Sequence, residues 1–114
     1  MKTEVKKLLL DALEAGQSIQ EQCGKVTLDQ YRADRWFRRA VEREFEIIGE
    51  ALNRLERFDP GVAARISSSR RIVDFRNRII HGYDAIDDEI VWGVVEKHLP
   101  QLVRELATLL AESG

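Results

Sequence analysis

The stretch WFRRAVEREFEIIGEALNRLERF, residues 36–58, indicates the fold class of this chain of 114 residues. At about 100° per residue, its apolar side chains line one side of a helix. The centre of that side is formed by Phe37, Val41, Phe45, Ile48, Leu52 and Leu55. Further apolar residues widen it to about half of the circumference, namely Trp36, Ala40, Ile47, Ala51 and Phe58. An ordinary surface helix needs less, so we expect this helix to pack on two of its sides.

Two arrangements explain this wide apolar face. The helix either packs against its own bundle and also against a partner, or it is a central helix that its own chain contacts on two sides. The small size of the domain favours the partner. We therefore expect a two-fold homodimer in which this helix and the later helix that begins near Arg70 supply much of the interface.

The remaining sequence also predicts helices, because it has only two prolines and no alternating run of β-branched residues. A first helix is expected from near Thr3 to near Ile19. Thr27 and Gln30 then have the spacing of a capping box, which opens a long helix that reaches about Arg57.

The second half of the chain contains clear helix boundaries. Asp59-Pro60-Gly61 should end the long helix, and a short helical turn should cover residues 62–66. Another long helix is expected to start near Arg70, with Gly82 as its C′ residue. Asp87 is placed to cap the last helix.

Pro100 should interrupt or kink this last helix before it resumes over residues 101–111. These boundaries predict an all-α fold, an antiparallel up-and-down bundle of four to five helices. The length and the absence of a linker predict a single domain over residues 1–114.

Composition narrows the classes of function. The net charge is −2, so no overall field attracts nucleic acid or a membrane. Cys23 is the only cysteine, which excludes an internal disulfide and a thiolate zinc site and fits a reducing cytoplasm. The apolar run Leu8-Leu9-Leu10 ends at Asp11, so we expect neither a signal peptide nor a membrane-spanning helix there.

A locally basic segment lies between residues 65 and 81. It holds Arg65, Arg70, Arg71, Arg76 and Arg78 against a single carboxylate, Asp74. Such a segment can bind phosphate groups even on a mildly acidic protein. The more common alternative for a run of this kind is a solvated helix face.

Two charges lie on apolar helix faces. Glu44 falls within the wide face of the long helix, and Arg76 falls on the apolar face of the later helix. An unpaired buried charge costs several kcal/mol. We therefore predict that Glu44 and Arg76 pair, within one chain or between two. The alternative is that Arg76 extends outward to solvent.

The segment RNRIIHGY, residues 76–83, concentrates reactive side chains. Arginine binds phosphate, histidine transfers protons near neutral pH, and a tyrosine hydroxyl can be modified. Arg76 and His81 are five residues apart and would point about 140° apart in an unbroken helix. Either the helix ends near His81, as Gly82 indicates, or two protomers share one site.

This segment matches the R-x4-H-x-Y motif of the HepT-like toxins, a branch of the HEPN superfamily of small helical ribonucleases. Residues 39–51 resemble the second-helix signature of that family. Residues 86–102 resemble its last-helix signature. The resemblance covers about residues 30–110.

The resemblance implies a metal-independent endoribonuclease toxin that is homodimeric, with the motif lining the dimer cleft. By position, Arg76 and His81 are the catalytic pair and Asn77 is a polar helper. The antitoxin of such toxins is a minimal nucleotidyltransferase that transfers AMP to the motif tyrosine, here Tyr83. RNA would be the substrate, with its 2′-hydroxyl as nucleophile. No cofactor is implied.

Within this reading, RNA phosphates are expected to contact Arg70, Arg71 and Arg78. No cluster of metal ligands is apparent, because His98 lies far from His81 in the sequence. Tyr83 has a plainer alternative role as a packing residue. A second function is a non-catalytic helical subunit that binds substrate or nucleotide for a small nucleotidyltransferase. A third is a purely structural dimer.

Overall fold

A computed structural model describes residues 1–81 and 87–113, apart from the side chains of Ile80 and His81. The helices in these ranges are α1 (Thr3–Cys23), α2 (Leu28–Ala33), α3 (Arg35–Phe58), α4 (Pro60–Ala63), α5 (Ser69–His81), α6 (Asp88–Lys97) and α7 (Leu99–Glu112). No strand occurs in the described ranges, so the predicted all-α class is confirmed. The predicted number of four to five helices is wrong, since the described part alone has seven.

The long helix expected after Thr27 is divided into α2 and α3. The predicted capping box is present: the Thr27 hydroxyl accepts from the Gln30 N–H at 3.2 Å, and the Gln30 side chain accepts from the Thr27 N–H at 2.9 Å. The division occurs at Asp34, whose carboxylate accepts a hydrogen bond from the Phe37 N–H at 3.0 Å. Aspartate satisfies the free N–H groups of a new helix, so a cap forms here in place of a helix interior.

The other boundaries follow local capping chemistry. The Asp59 carboxylate accepts a hydrogen bond from the Val62 N–H at 3.1 Å, and the predicted break after the long helix is confirmed. The short helix that follows begins at Pro60, two residues earlier than expected. Asp87 caps α6, accepting from the Glu89 N–H at 2.8 Å. Pro100 lies in the first turn of α7, which restarts the last helix at Leu99.

Helix α3 is the centre of the bundle and packs against α1, α2, α4 and α5. Its buried apolar residues are Val41, Phe45, Ile48, Ala51, Leu52 and Leu55. Ala51 and Ile47 lie beside Leu8 of α1, so the chain itself covers part of the wide apolar face. Trp36 stays 85% exposed and Phe58 50% exposed. Both explanations of the wide face therefore retain support.

Helices α3 and α5 run antiparallel, since Arg70 pairs with Glu56 and Arg76 with Glu50. This pairing brings the motif helix against the middle of α3. In the part of the chain that the structure describes, no helix is long and apolar enough to cross a membrane.

Candidate functional site

The motif helix approaches α3 most closely at Gly49. A Cβ atom on Gly49 would lie 2.3 Å from the Cβ of Arg76 and 2.5 Å from its Cγ, well inside van der Waals contact. Phe45 and Phe75 pack edge to face beside this point, with ring centroids 5.1 Å apart. The missing side chain at Gly49 therefore lets α5 pack directly on α3. It also fixes the position of the Arg76 Cβ and Cγ, from which the rest of the side chain extends.

The Arg76 guanidinium is held by two polar partners. Its Nη2 lies 2.5 Å from Oε2 of Glu50 on α3, and its Nη1 donates to Oδ1 of Asn77 at 2.7 Å. The Arg76 side chain is 20% exposed and that of Glu50 is 49% exposed. Nε of Arg76 is buried and has no hydrogen-bond partner among the described residues. The guanidinium thus lies at the edge of the α3–α5 contact with a defined orientation.

Glu44 is not the partner of Arg76 within the chain. The pairing fails because Gly49, where α5 rests, is five residues from Glu44 and so about 140° around α3. Glu44 instead lies in a cleft of about 260 Å³ between α1 and α3, lined also by Ser18, Ile19, Gln22, Phe37, Ala40 and Val41. Among the described residues it forms no ion pair. A pairing of Glu44 across a dimer stays a prediction.

The environment of Glu44 disfavours its ionised form. Burial raises the pKa of the Glu44 carboxyl, and the charge of Arg43 lowers it in part. An ionised carboxyl in such a cleft either lowers the stability of the fold at neutral pH or pairs with a cation from outside the described chain.

The basic segment divides into paired and available arginines. Arg65 is bound in a fork by Glu112, at 2.7 and 2.8 Å, an interaction that raises the pKa of Arg65 and lowers that of Glu112. Arg70 lies 3.4 Å from Glu56. Arg71 and Arg78 are exposed, and neither forms an ion pair with another described residue. The predicted phosphate contacts therefore include two arginines with free guanidinium groups in the described chain.

The rest of the predicted site is only partly described. Helix α5 extends through Arg76 and Asn77 to His81, whose side chain lies outside the described part. Gly82 and Tyr83 also lie outside it, so their predicted roles as C′ residue and modification site stay predictions. Among the side chains that the structure describes, which exclude that of His81, no group of three or more potential metal ligands is present.

Two residues of the site were not predicted from the sequence. The sequence does not distinguish Glu50 from other surface carboxylates, because it lies on the exposed side of α3. Gly49 did carry a signal, since an isolated glycine inside a helical pattern indicates a close backbone approach. Here Arg76 packs on Gly49 and pairs with Glu50, the residue that follows this glycine.

Comparison with known proteins identifies the class of this helical chain. The family model described as ribonuclease HepT-like matches residues 12–109. The chain belongs to this family, which confirms the predicted ribonuclease class. No solved structure matches the chain.

Named relatives agree with this assignment. A protein of Methanocaldococcus jannaschii that is named as a candidate RNase is 31% identical over 110 residues, covering 92% of this chain and 95% of its own length. Another from the same organism with the same kind of name is 27% identical and covers 97% of this chain and 91% of its own length. A protein of Thermococcus cleftensis named as a probable ribonuclease HepT is 30% identical, over 90% of this chain and 92% of its own length.

Proposed function

We propose that the chain is a metal-independent endoribonuclease toxin in which Arg76 and His81 act on one RNA phosphate. The observation that supports this most directly is the fixed Arg76 guanidinium, which is held by Glu50 of α3 and by Asn77. Arg76 lies on α5, the helix that continues to His81. A cation held in a defined direction suits a phosphoryl group, because its charge need not reorganise as the reaction proceeds.

The reaction follows from the chemistry of RNA. The 2′-hydroxyl oxygen attacks the adjacent phosphorus, the bond from phosphorus to the 5′ oxygen breaks, and the products are a 2′,3′-cyclic phosphate and a 5′-hydroxyl. His81 accepts the proton of the 2′-hydroxyl or supplies one to the leaving 5′ oxygen, a role worth about 10²–10⁴-fold. Arg76 stabilises the charge that develops on the phosphoryl oxygens.

Glu50 and Asn77 serve to position Arg76 in this scheme. A hydrogen bond with an ionised donor or acceptor is shorter and stronger than a neutral one, and two bonds from one guanidinium restrict a long side chain that otherwise has many rotamers. Arg78 and Arg71 bind neighbouring phosphates, and Arg70 does so when it leaves Glu56.

The active form proposed here is a two-fold homodimer in which two copies of the motif line one cleft. Trp36, Ala40 and Phe58 on α3 are exposed in the single chain, and they would be covered by a second copy. In such a dimer the Arg76 of one copy and the His81 of the other can face the same phosphate, which removes the geometric conflict within one helix.

Regulation by AMP transfer completes the proposal. The partner is a minimal nucleotidyltransferase acting in the cytoplasm. The Tyr83 oxygen attacks the α-phosphorus of ATP, and pyrophosphate leaves. The attached phosphodiester carries one negative charge and can pair with Arg76, so it would block the RNA phosphate by mimicry as well as by bulk.

The modification is tested by mass spectrometry after co-expression with the candidate nucleotidyltransferase. Modification at Tyr83, with a Tyr83→Phe variant that stays toxic despite the partner, supports the switch. A partner that neutralises Tyr83→Phe equally well shows that inhibition works by simple binding.

Cleavage of labelled single-stranded RNA by purified protein tests the activity itself. His81→Ala and Arg76→Ala should each abolish cleavage while circular dichroism stays unchanged, and EDTA should have no effect. Arg43→Ala is the control, since Arg43 is exposed and pairs with Glu46 at 3.1 Å on the same central helix. Cleavage that survives both motif substitutions, or that needs a divalent ion, rejects this mechanism. Wild type that binds the nucleotidyltransferase without ever cleaving RNA supports the non-catalytic subunit instead.

A further inference from the structure

A polar cleft of about 590 Å³ opens where the start of α5 meets the junction of α6 and α7. The residues that line it all belong to polar or charged types, namely Ser67, Ser68, Arg70, Arg71, Asp74, His98 and Gln101. The volume lies within the range of small-ligand sites and is large enough for a nucleotide. The described motif residues Arg76 and Asn77 do not line it, so the cleft is separate from them.

Arg71 is the cation that this cleft offers to a ligand. Arg70 is already engaged with Glu56 at 3.4 Å, whereas Arg71 is exposed and unpaired within the described chain. Nearby, the carboxylate of Glu105 accepts a hydrogen bond from the Ser67 hydroxyl at 2.6 Å. The start of α5 adds the positive end of its helix dipole. Arg71 and the start of α5 attract an anion here, and the carboxylates of Asp74 and Glu105 oppose that attraction.

His98 and Gln101 add groups that recognise a nucleotide beyond its phosphate. His98 is partly exposed between α6 and α7, and its side chain makes no capping hydrogen bond. An imidazole can stack on an RNA base. The Gln101 amide lies 3.4 Å from the Ser67 hydroxyl, a long contact that leaves it available for a base edge or a 2′-hydroxyl.

The cleft is aligned with the motif along α5. Residues 71, 74, 78 and 81 follow helical spacing and lie on one side of α5. Positions 71 and 81 are about 15 Å apart along the helix axis. A single RNA strand that follows this side of α5 from the motif passes Arg78 and reaches the cleft a few nucleotides away.

We propose that this cleft binds one nucleotide of single-stranded RNA, a few positions away from the bond that is cut. Arg71 contacts its phosphate, and His98 and Gln101 contact its base and ribose. The inference rests on the proposed ribonuclease function for its substrate. It adds a second site that makes longer RNA strands bind more tightly than short ones.

The test measures binding without cleavage, on the His81→Ala variant, by fluorescence anisotropy of a labelled decanucleotide and of a labelled dinucleotide. Arg71→Ala should weaken the decanucleotide about five- to tenfold and lower the slope of log affinity against log salt by about 0.7. Asp74→Asn should tighten the same complex, because it removes the opposing charge. The dinucleotide, which is too short to reach the cleft, should respond much less to either change.

Further variants separate stacking from charge. His98→Ala should weaken the decanucleotide about tenfold, whereas His98→Phe should retain its affinity, because any aromatic ring can stack on a base. Lys2→Ala is the control for charge, since Lys2 is exposed before α1 and does not line the cleft.

Equal effects on both oligonucleotides, or effects of the same sign from Arg71→Ala and Asp74→Asn, overturn the proposal. Its outcome is distinguishable from that of the proposed activity. If the wild type never cleaves RNA but the cleft variants still change binding in the length-dependent way, the nuclease is rejected and the cleft is retained. Cleavage by wild type with no response of binding to any cleft variant rejects the cleft alone.

Discussion

At the scale of single residues, the charge of Arg76 is partly compensated before any RNA binds. Glu50 lies 2.5 Å from one guanidinium nitrogen, and the arginine side chain is four-fifths buried. This arrangement reduces the attraction of Arg76 for a phosphate in the ground state. It also restricts the side chain to one orientation, which favours a transition state whose charge develops at a defined place.

Glu50→Gln tests this balance. We expect kcat for RNA cleavage to fall about tenfold, because a charged hydrogen bond is worth about 1.5–3 kcal/mol and the low end of that range applies to a pair whose carboxylate is half exposed. KM should stay unchanged or fall, because Arg76 regains its full charge. Glu46→Gln is the control, as Glu46 pairs with Arg43 on the same helix. A rise in KM with unchanged kcat would show that Glu50 contacts the substrate instead.

Glu44 gives a prediction for the pH dependence of stability. Burial raises its folded pKa, so the folded state binds its proton more tightly than the unfolded state. The associated stability is fully present below the unfolded pKa, about 4.3, and is lost as pH rises through the folded pKa. Glu44→Gln should therefore raise the unfolding free energy at pH 7 by roughly half a kcal/mol, with no gain below the unfolded pKa.

Urea denaturation across this pH range measures the effect of Glu44→Gln. If the variant is less stable than wild type at pH 7 and the loss grows with protein concentration, Glu44 has a cationic partner in a second copy. That result would support the predicted pairing of Glu44 across a dimer.

At the scale of helices, Gly49 determines how closely α5 can approach α3. Added atoms at Gly49 meet the Cβ and Cγ of Arg76, which are the rigid base of that side chain and cannot swing away. Gly93 in α6 differs, since a Cβ added there meets no atom of the described residues within 4 Å. The two glycines therefore have opposite consequences on substitution.

Gly49→Ala should lower the unfolding free energy by about 1–3 kcal/mol, because the helices must separate, and it should reduce cleavage as Arg76 moves away from Glu50. Gly93→Ala should raise the unfolding free energy by up to about 1 kcal/mol, because alanine is the better helix former. Chemical denaturation of the two variants beside wild type measures both. A neutral result for Gly49→Ala would mean that the α3–α5 contact is looser than described.

Local signals predicted most helix boundaries, and packing explains the misses. Thr27 and Asp87 are predicted as caps, and Asp59-Pro60-Gly61 as a break, because each signal acts on backbone groups within about three residues. The division at Asp34 was missed because apolar residues continue on both sides of it. The pairing of Arg76 depends on which side of α3 receives α5, which a helical wheel of either helix alone does not contain.

At the scale of the whole molecule, positions 76 and 81 of α5 are five residues apart, which corresponds to about 140° around a helix. The central helix α3 also exposes large apolar side chains that the described part of the chain does not cover. A second copy would resolve both conditions, covering the exposed face and supplying the opposite half of the site. The dimer was predicted from the wide apolar face, and a single chain leaves that prediction open to experiment.

Sedimentation at micromolar concentration should therefore show a dimer, and Trp36→Ser should weaken it. Trp36 is 85% exposed and contributes little to its own core, so the substitution should leave the fold intact. Buried tryptophans at interfaces contribute about 2 kcal/mol or more, which corresponds to a dissociation constant about 30-fold higher. Ile90→Ser is the control, because Ile90 is 48% exposed on α6, outside the central helix. Cleavage should decline in Trp36→Ser in proportion to the lost dimer and recover at higher protein concentration. A wild-type monomer that cleaves RNA at full rate would show instead that each chain carries a complete site.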